Sequence, residues 1–259
     1  MFPVLGVGAV TAELKTTAAR FAARLGQRRG GPAEAAGHLP AAGRAAEHLP
    51  AAGRAAGPGR VDGQPSRARS FDPRRIADLE YQAWTSYYLR KWPQVLMASV
   101  GLVRVGFGME WHRTLYGAWL VLRASQLWAP VPDNDPDGAR ACMARFFALV
   151  RVSCGVPANP AEAARLEVDW WRVHRESQYS ATAIGADDAL VESLTRLYSY
   201  LYDEPGSEVR PAAVQRARAM KLSDQWVREG CAQDSPLLAL EHAALVRCYG
   251  ALLAAVHHK

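Results

Sequence analysis

The chain has few cysteines, and their spacing suits neither a metal site nor a disulfide framework. Four cysteines occur among 259 residues, and no two of them form a CxxC pair. Structural zinc sites and small disulfide-stabilised scaffolds both need closely spaced cysteines. The sequence therefore argues against these two classes and predicts a reducing, cytoplasmic location.

Familiar catalytic and nucleotide-binding motifs are also absent. The chain has no nucleophile elbow, no Walker loop and no HExxH pair. The glycine-containing stretches GVGAV and GLVRVGFGM lack the strand, the spacing and the downstream acid of a dinucleotide-binding fingerprint. DNDPDG at 133–138 matches the first half of a calcium loop, but Ala144 stands where a bidentate glutamate is required. Asp135 and Pro136 instead predict the start of a helix.

Long apolar runs are missing as well. No stretch reaches about 18 uninterrupted apolar residues, and no basic residue precedes the apolar run that follows Met1. We therefore expect no transmembrane segment and no signal peptide.

The excess of positive over negative charge is confined to the beginning of the chain. Residues 1–70 contain ten Lys or Arg and four acids, whereas residues 71–259 contain twenty-one of each, so the net charge of +6 belongs to the first segment. A ten-residue unit, HLPAAGRAAE, recurs with one change at 38–47 and 48–57. Such Pro/Gly-rich sequence buries too little apolar surface to fold. We predict a largely disordered basic tail over 1–70, able to touch an anionic surface or a partner.

From residue 71 onward, the sequence has the apolar periodicity of successive helices. Asp72 and Pro73 predict a helix start, and the first helix is expected to run to about Trp92. GLVRVGFGM is interpreted as a glycine-marked bend, and the segment RTLYGAWLVLRASQLW is apolar nearly all round, which predicts a helix surrounded by others. No alternating strand pattern of useful length occurs. The predicted fold is all-α, a single bundle of roughly seven helices over 71–259.

One predicted helix, at about 161–178, places polar side chains on its inward face. Glu167 and His174 are seven residues apart, hence two turns apart on one stripe. Gln178 continues the stripe, which runs between Trp170 and Trp171. The solvent side of this helix already carries its own charges, so the inward acid and histidine call for a specific role.

The first helix and the apolar helix add further inward candidates. Glu80 shares a face with Trp84 and Tyr87, and Arg90 lies at the edge of that face. Arg123 falls within the helix that is predicted to be wrapped by neighbours. A charge in such a place needs a partner, since leaving it unpaired costs several kcal/mol.

Three interpretations of this group remain open. In the first, Arg123 and Arg90 form structural ion pairs with Glu80 and Glu167, and His174 is a satisfied core histidine of a non-enzymatic interaction or scaffold protein. In the second, the group lines a pocket between helices that binds a small organic ligand. In the third, Glu80, Glu167 and His174 bind iron, manganese or zinc, as in ferritin-like oxidoreductases, although the usual ExxH spacing is lacking.

Among the interpretations that assign a function to this group, the second is the one that we adopt. Glu80, Glu167 and His174 are the candidate catalytic residues, because a carboxylate among tryptophans beside a histidine can act as an acid/base pair near neutral pH. The candidate ligand-binding residues are Tyr87, Arg123, Trp84, Trp170, Trp171 and Gln178. Specific nucleic-acid binding is not expected, because residues 71–259 are neutral by count and their aromatics fall mostly on inward stripes.

Overall fold

The protein is described by a computed structural model over residues 67–179 and 186–257. These ranges contain eight α-helices, a short 3-10 turn at Arg67–Arg69 and no strand. The predicted all-α bundle is confirmed. The tail predicted over 1–70 lies, for residues 1–66, outside the described residues.

Each helix packs against the next one along the chain, and the last packs against the first. This closes the bundle into a ring, with short connections typical of neighbouring antiparallel helices. In chain order the helices are α1 (Pro73–Tyr88), α2 (Trp92–Phe107), α3 (Trp111–Trp128), α4 (Pro136–Cys154), α5 (Pro160–Tyr179), α6 (Ala186–Tyr202), α7 (Gly206–Arg228) and α8 (Pro236–Val256).

Aspartate side chains begin two of these helices, as the sequence predicts. The Asp72 carboxylate accepts hydrogen bonds from the backbone N–H groups of Arg74 and Arg75, each at 3.0 Å. Asp135 accepts one from the backbone N–H of Gly138 at 2.8 Å. Each cap satisfies amide groups that have no partner inside the helix. DNDPDG is therefore a helix start.

The segment GLVRVGFGM is not a bend, and this prediction was wrong. The first helix ends at Tyr88. Helix α2 runs through Gly101 to Phe107 and is a separate helix that the sequence pattern did not predict. A Cβ atom at Gly101 would lie 2.8 Å from Cδ2 of Leu79. Gly101 thus allows α1 and α2 to approach closely, and only Gly108, at φ 57°, ends the helix in the left-handed conformation.

The folded domain also begins slightly before the predicted boundary at residue 71. The Arg69 guanidinium donates to the Glu204 carboxylate at 2.7 Å and to the backbone carbonyl of Val256 at 3.1 Å. Ala68 and Phe71 are buried in the core. Residues 68–70 therefore belong to the bundle, because they tie the start of α1 to the ends of α6 and α8.

Helix α3 is not wrapped by its neighbours, contrary to the prediction. Its inner face carries buried small and aliphatic residues such as Ala118 and Leu120. Its outer face exposes Trp111, Leu115 and Trp119. An apolar pattern around the whole helix predicts burial only if other helices cover every side, and in this ring one side stays open.

Helix α8 is, among the described helices, the one long and apolar enough to cross a membrane by length and composition. It packs against α1 and α7, and it carries the buried Glu241. Core helices of globular bundles have the same length and composition. This property is therefore only weak evidence for a membrane span.

Two glycine substitutions test the close approach of α1 and α2. Gly250→Ala is expected to raise the free energy of unfolding by about 0.5–1 kcal/mol, because glycine destabilises a helix interior relative to alanine and a Cβ there meets no atom within 4 Å. The free energy of unfolding of Gly101→Ala is expected to be about 1–3 kcal/mol lower than that of Gly250→Ala, because the added methyl group presses on Leu79. Urea unfolding followed by circular dichroism measures both. Equal stabilisation by the two substitutions would contradict tight packing at Gly101.

Candidate functional site

Buried polar side chains from four helices meet inside the bundle. Helices α1, α5, α7 and α8 present them from faces that are otherwise apolar. Acidic groups predominate among them, and only one arginine is included. We call this set the interior polar cluster; its buried members are Glu80, Glu167, His174, Arg216, Ser223, Glu241 and Tyr249, and the half-buried Asp224 lies at its edge.

The best-satisfied part of the cluster is an ion pair between α1 and α7. The Arg216 guanidinium contacts the Glu80 carboxylate, and the Tyr249 hydroxyl of α8 donates to the same carboxylate. Arg216 also donates to the Tyr249 hydroxyl oxygen at 3.3 Å. Glu80 and Arg216 are 1% and 3% exposed, so each needs the other to offset lost hydration.

The protonation of this pair follows from burial and from mutual attraction. Burial raises the pKa of Glu80, whereas Arg216 and Tyr249 act to lower it. For Arg216, burial lowers the pKa, but the charge of Glu80 and the nearby phenol groups more than offset this effect and raise it. Arg216 is therefore the permanent positive charge of the cluster.

The cations that the sequence predicts as partners of the glutamates lie elsewhere. Arg123 is exposed on α3, where its guanidinium donates to Gln126 at 3.3 Å. Arg90 follows the end of α1 and is also exposed. The prediction that Arg123 faces inward was wrong, because the outer side of α3 is open.

Arg216 itself was missed, although the sequence contains a signal for it. On a helical wheel of α7 it shares a stripe with the buried Val209, Ala213, Met220 and Ser223. The positions three, four and seven residues away from Arg216 are thus small or apolar. A charged residue on such a stripe is a candidate for burial, and the same wheel analysis that identifies Glu167 identifies Arg216.

Glu167 lies on the inward face of α5, as the sequence predicts. It is fully buried, and its Oε1 accepts a hydrogen bond from the indole N–H of Trp171 at 3.3 Å. The indole N–H of Trp170 also faces Glu167 and lowers its pKa, without the geometry of a formed hydrogen bond. Burial raises the pKa of Glu167 to about 7, and the two indoles only partly counter this.

His174 is also inward, but its partner is not Glu167. Its Nε2 lies 2.9 Å from Oδ2 of Asp224 on α7, and the Gln178 amide donates to Oδ1 of the same aspartate at 2.6 Å. His174 and Gln178 therefore hold Asp224 from both sides. The predicted Glu167–His174 pair is replaced by a His174–Asp224 pair, because α7 packs closely enough to supply the acid.

Glu241 on α8 is the least satisfied member of the cluster. It is fully buried, and within the described part of the chain neither of its carboxylate oxygens has a hydrogen-bond partner. Ser223 faces it and lowers its pKa slightly, without the geometry of a formed hydrogen bond. Burial, followed by repulsion from Glu80, raises the pKa of Glu241 to about 8.

Other buried atoms in and beside the cluster also lack a hydrogen-bond partner within the described residues. In the cluster these are Oε1 of Glu80, Oε2 of Glu167 and Oγ of Ser223, and beside it they are the hydroxyl of Tyr87 and the indole nitrogen of Trp170. Trp84 and Tyr87 are buried as predicted, whereas Gln178 is exposed at the rim. Native interiors pair almost all buried polar groups.

The ligand set suggested for a metal ion is not assembled. Glu80 is engaged by Arg216, and His174 is engaged by Asp224. Over residues 67–179 and 186–257, no group of three or more His, Cys, Asp or Glu side chains is placed to hold a metal ion. Glu80, Glu167 and His174 therefore do not form a preorganised site for iron, manganese or zinc.

A groove of about 410 Å³ lies on the other side of α7. Its lining includes Val191 from α6 and Val214, Arg218 and Lys221 from α7. Arg218 and Arg216 point about 200° apart on the helix. The groove is thus an outer feature of α6 and α7 and does not coincide with the interior polar cluster.

Comparison with known proteins gives no match. The chain matches no protein-family model, no curated protein and no solved structure. The function therefore has to be argued from the chain's own residues.

Removing the buried cation tests the central ion pair. Arg216→Met is expected to lower the free energy of unfolding by about 3–5 kcal/mol, because it leaves the Glu80 charge buried without a partner. The double variant Glu80→Gln/Arg216→Met should recover most of that loss. Chemical denaturation at pH 7 measures both.

A surface ion pair provides the matched control. Arg165 and Glu162 lie 2.6 Å apart on the exposed side of α5, so Arg165→Met should cost at most about 1 kcal/mol. If Arg216→Met cost no more than Arg165→Met, Arg216 could not be the cation that compensates Glu80.

Proposed function

We propose that the protein binds a small organic molecule with a positively charged, hydrogen-bond-donating group inside the bundle, and that Glu241 and Glu167 exchange protons with it. The ligand would lie between α1, α5, α7 and α8. The unsatisfied carboxyl group of Glu241 is the observation that carries this proposal.

Glu241 is poorly explained by a purely structural role. A structural ion-pair network leaves few polar atoms unpaired, since each buried unsatisfied group costs about 1–3 kcal/mol. Glu80 and Arg216 contact each other as an ion pair, and Tyr249 donates to Glu80. Neither oxygen of Glu241 and only one oxygen of Glu167 has a hydrogen-bond partner within the described residues, and no cation contacts either group directly. Groups that lower stability without a compensating contact are often retained because function needs them.

The balance of charge in the cluster favours a cationic ligand. Glu80, Glu167 and Glu241 are buried, and Arg216 is the buried arginine among them. Arg216 is already paired with Glu80, so the other two glutamates have no full positive charge in direct contact within the described residues. An ammonium or amidinium group would neutralise this excess and donate hydrogen bonds to the unpaired carboxylate oxygens.

Acid/base chemistry is compatible with the same two glutamates. Their pKa values of about 7 and about 8 lie close to neutral pH, where a carboxyl group both gives and takes protons efficiently. Perturbed carboxyl groups of this kind are concentrated at active sites. A bound amine would displace their protons as it enters.

The aromatic side chains around the glutamates provide the remaining contacts. Trp84 and Tyr87 from α1 and Trp170 from α5 are buried. Their rings can pack against the apolar part of a ligand and favour a cation by cation–π attraction. The Tyr87 hydroxyl and the Trp170 indole N–H supply polar atoms for orientation. Such a mixture of apolar walls and few polar groups is typical of ligand pockets.

A cytoplasmic location is part of this proposal. The four cysteines form no disulfide with one another in the described residues, which include all of them. Reduced cysteines suit a reducing compartment.

The pH dependence of stability tests whether Glu241 is strained. The folded protein retains the Glu241 proton up to about pH 8, whereas an ordinary glutamate releases it near 4.5. The native state then binds more protons than the unfolded state across that range, so stability falls as the pH rises from 4.5 to 8 and levels off above it. Glu241→Gln should remove much of this slope and raise stability at pH 9 by about 3 kcal/mol.

Urea unfolding at pH 5, 7 and 9 measures this effect. Glu167→Gln should also raise the free energy of unfolding at pH 9, but by less, because the pKa of Glu167 is about 7. Glu162→Gln, a control on the solvent-facing side of α5, should leave the slope between pH 5 and pH 9 unchanged, because Arg165 lowers the pKa of Glu162 from 4.5 and away from that range. A loss of stability in Glu241→Gln at every pH would show that Glu241 is a structural partner and would remove the basis of the proposal.

Ligand chemistry is tested by calorimetric titration of the full chain with benzylamine. Binding is expected with release of protons, detected by repeating the titration in buffers of different ionisation enthalpy. Glu241→Gln should abolish it, whereas Glu162→Gln should not. Benzyl alcohol, which has the same ring without the charge, should bind at least about tenfold more weakly.

Titration with manganese, zinc or ferrous iron distinguishes the remaining interpretations. Stoichiometric metal binding that depends on Glu167 and His174, without amine binding, would favour the metal-dependent alternative. Binding of neither class would favour an interaction or scaffold protein whose polar cluster only fixes the packing.

A further inference from the structure

The outer side of α2 and α3 carries a large apolar surface. We call it the α2–α3 face and define it by six exposed side chains: Leu96, Met97, Trp111, Leu115, Tyr116 and Trp119. Each is between 48% and 71% exposed. Large exposed apolar patches on folded domains mark sites of association.

The exposed residues of α3 are mainly aromatic, and one contact links them to α2. Helix α2 packs against α3, and the Arg104 guanidinium lies over the Trp111 ring at 5.0 Å from its centroid. Tyr116 and Trp119 stack on each other, with ring centroids 5.9 Å apart. The face therefore combines aliphatic residues on α2 with a line of aromatic residues along α3.

All formal charge on these two helices is positive. Arg104 is the charged residue of α2, and α3 carries Arg113 and Arg123. Glu110, directly before α3, is exposed and lies 3.6 Å from His112. Neither helix contains an aspartate or a glutamate. Arg123 is exposed one turn after Trp119, so it lies beside the aromatic residues. A partner that covers this face would be apolar and negatively charged.

We propose that the α2–α3 face binds the surface of an anionic lipid bilayer. Tryptophan and tyrosine favour the bilayer interface, where the ring is partly buried and its polar edge stays hydrated. Leucine and methionine insert into the acyl boundary, and arginine attracts anionic headgroups. The face provides all three, and it is independent of the interior polar cluster.

A second copy of the chain fits this face less well. A two-fold interface brings the same patch of two molecules together, which would place the exposed Arg123 of both copies in the interface without an acid on either helix. Nucleic acid would accept the arginines and the aromatic rings. It would leave Leu96, Met97 and Leu115 without an apolar partner.

Flotation of the full chain with lipid vesicles tests the proposal. Wild-type protein is expected to bind vesicles of phosphatidylglycerol and phosphatidylcholine, and to bind pure phosphatidylcholine much more weakly. Tryptophan emission should shift to the blue on binding, because Trp111 and Trp119 are the tryptophans that are exposed among the described residues. The double variant Trp111→Ser/Trp119→Ser should lose more than about tenfold in vesicle affinity.

Two further variants make the result specific. Leu240→Ser removes an exposed leucine from α8, away from the face, and should bind like wild type. Arg123→Gln should lose about fivefold for anionic vesicles and little for neutral ones. All variants keep residues 1–66. Any contribution of the basic N-terminal segment to vesicle binding is therefore the same in each, and differences between variants report on the substituted residues. Circular dichroism and thermal unfolding confirm that each variant is folded.

Three outcomes would overturn the proposal. The first is no binding of wild type to anionic vesicles. The second is equal binding by the double tryptophan variant, which would assign the interaction to another part of the chain. The third is that the face binds another partner in place of vesicles, seen either as a dimer in sedimentation velocity that the double variant dissociates or as binding of single-stranded oligonucleotide.

Discussion

The ion pair between Glu80 and Arg216 is the interaction on which the arrangement of the interior depends. It connects the first helix to the seventh, and Tyr249 adds the eighth. Neither charge is tolerable alone inside the bundle, because each would lose its hydration without compensation. The packing of α8 against both α1 and α7 is therefore accompanied by a polar contact that specifies which faces of the three helices meet.

This pair also determines the chemistry of its neighbours. Because Arg216 is paired with Glu80, it only partly stabilises a negative charge on Glu241. The negative charge of Glu80 opposes the ionisation of Glu241. Glu167 is reached by Arg216 only weakly, behind the effects of burial and of the two indoles. A well-satisfied structural pair thus leaves two carboxyl groups with pKa values near neutrality. The same sequence features that stabilise the bundle create the groups proposed to bind a ligand.

The sequence predicts the direction of side chains better than the identity of their partners. Helical periodicity correctly places Glu80, Glu167 and His174 on inward faces, since it depends only on spacing within one helix. Partners depend on how helices pack, which spacing does not encode. His174 therefore pairs with Asp224 instead of Glu167, and Glu80 pairs with Arg216 instead of Arg123 or Arg90. Capping aspartates are predictable for the same reason as periodicity, because a cap is local in sequence.

Helix α3 shows what composition alone leaves open. An apolar helix in a closed ring has two neighbours and an inner face, but the ring itself supplies nothing to cover its outer face. Trp111, Leu115 and Trp119 lie on that side and stay exposed. Their apolar character predicts that they will be covered, and in this topology the cover has to come from outside the ring. Within the described part of the chain, Glu167 and Glu241 have no cation in direct contact, and the α2–α3 face has no apolar cover. A cationic ligand and an anionic bilayer are the proposed complements of these two features.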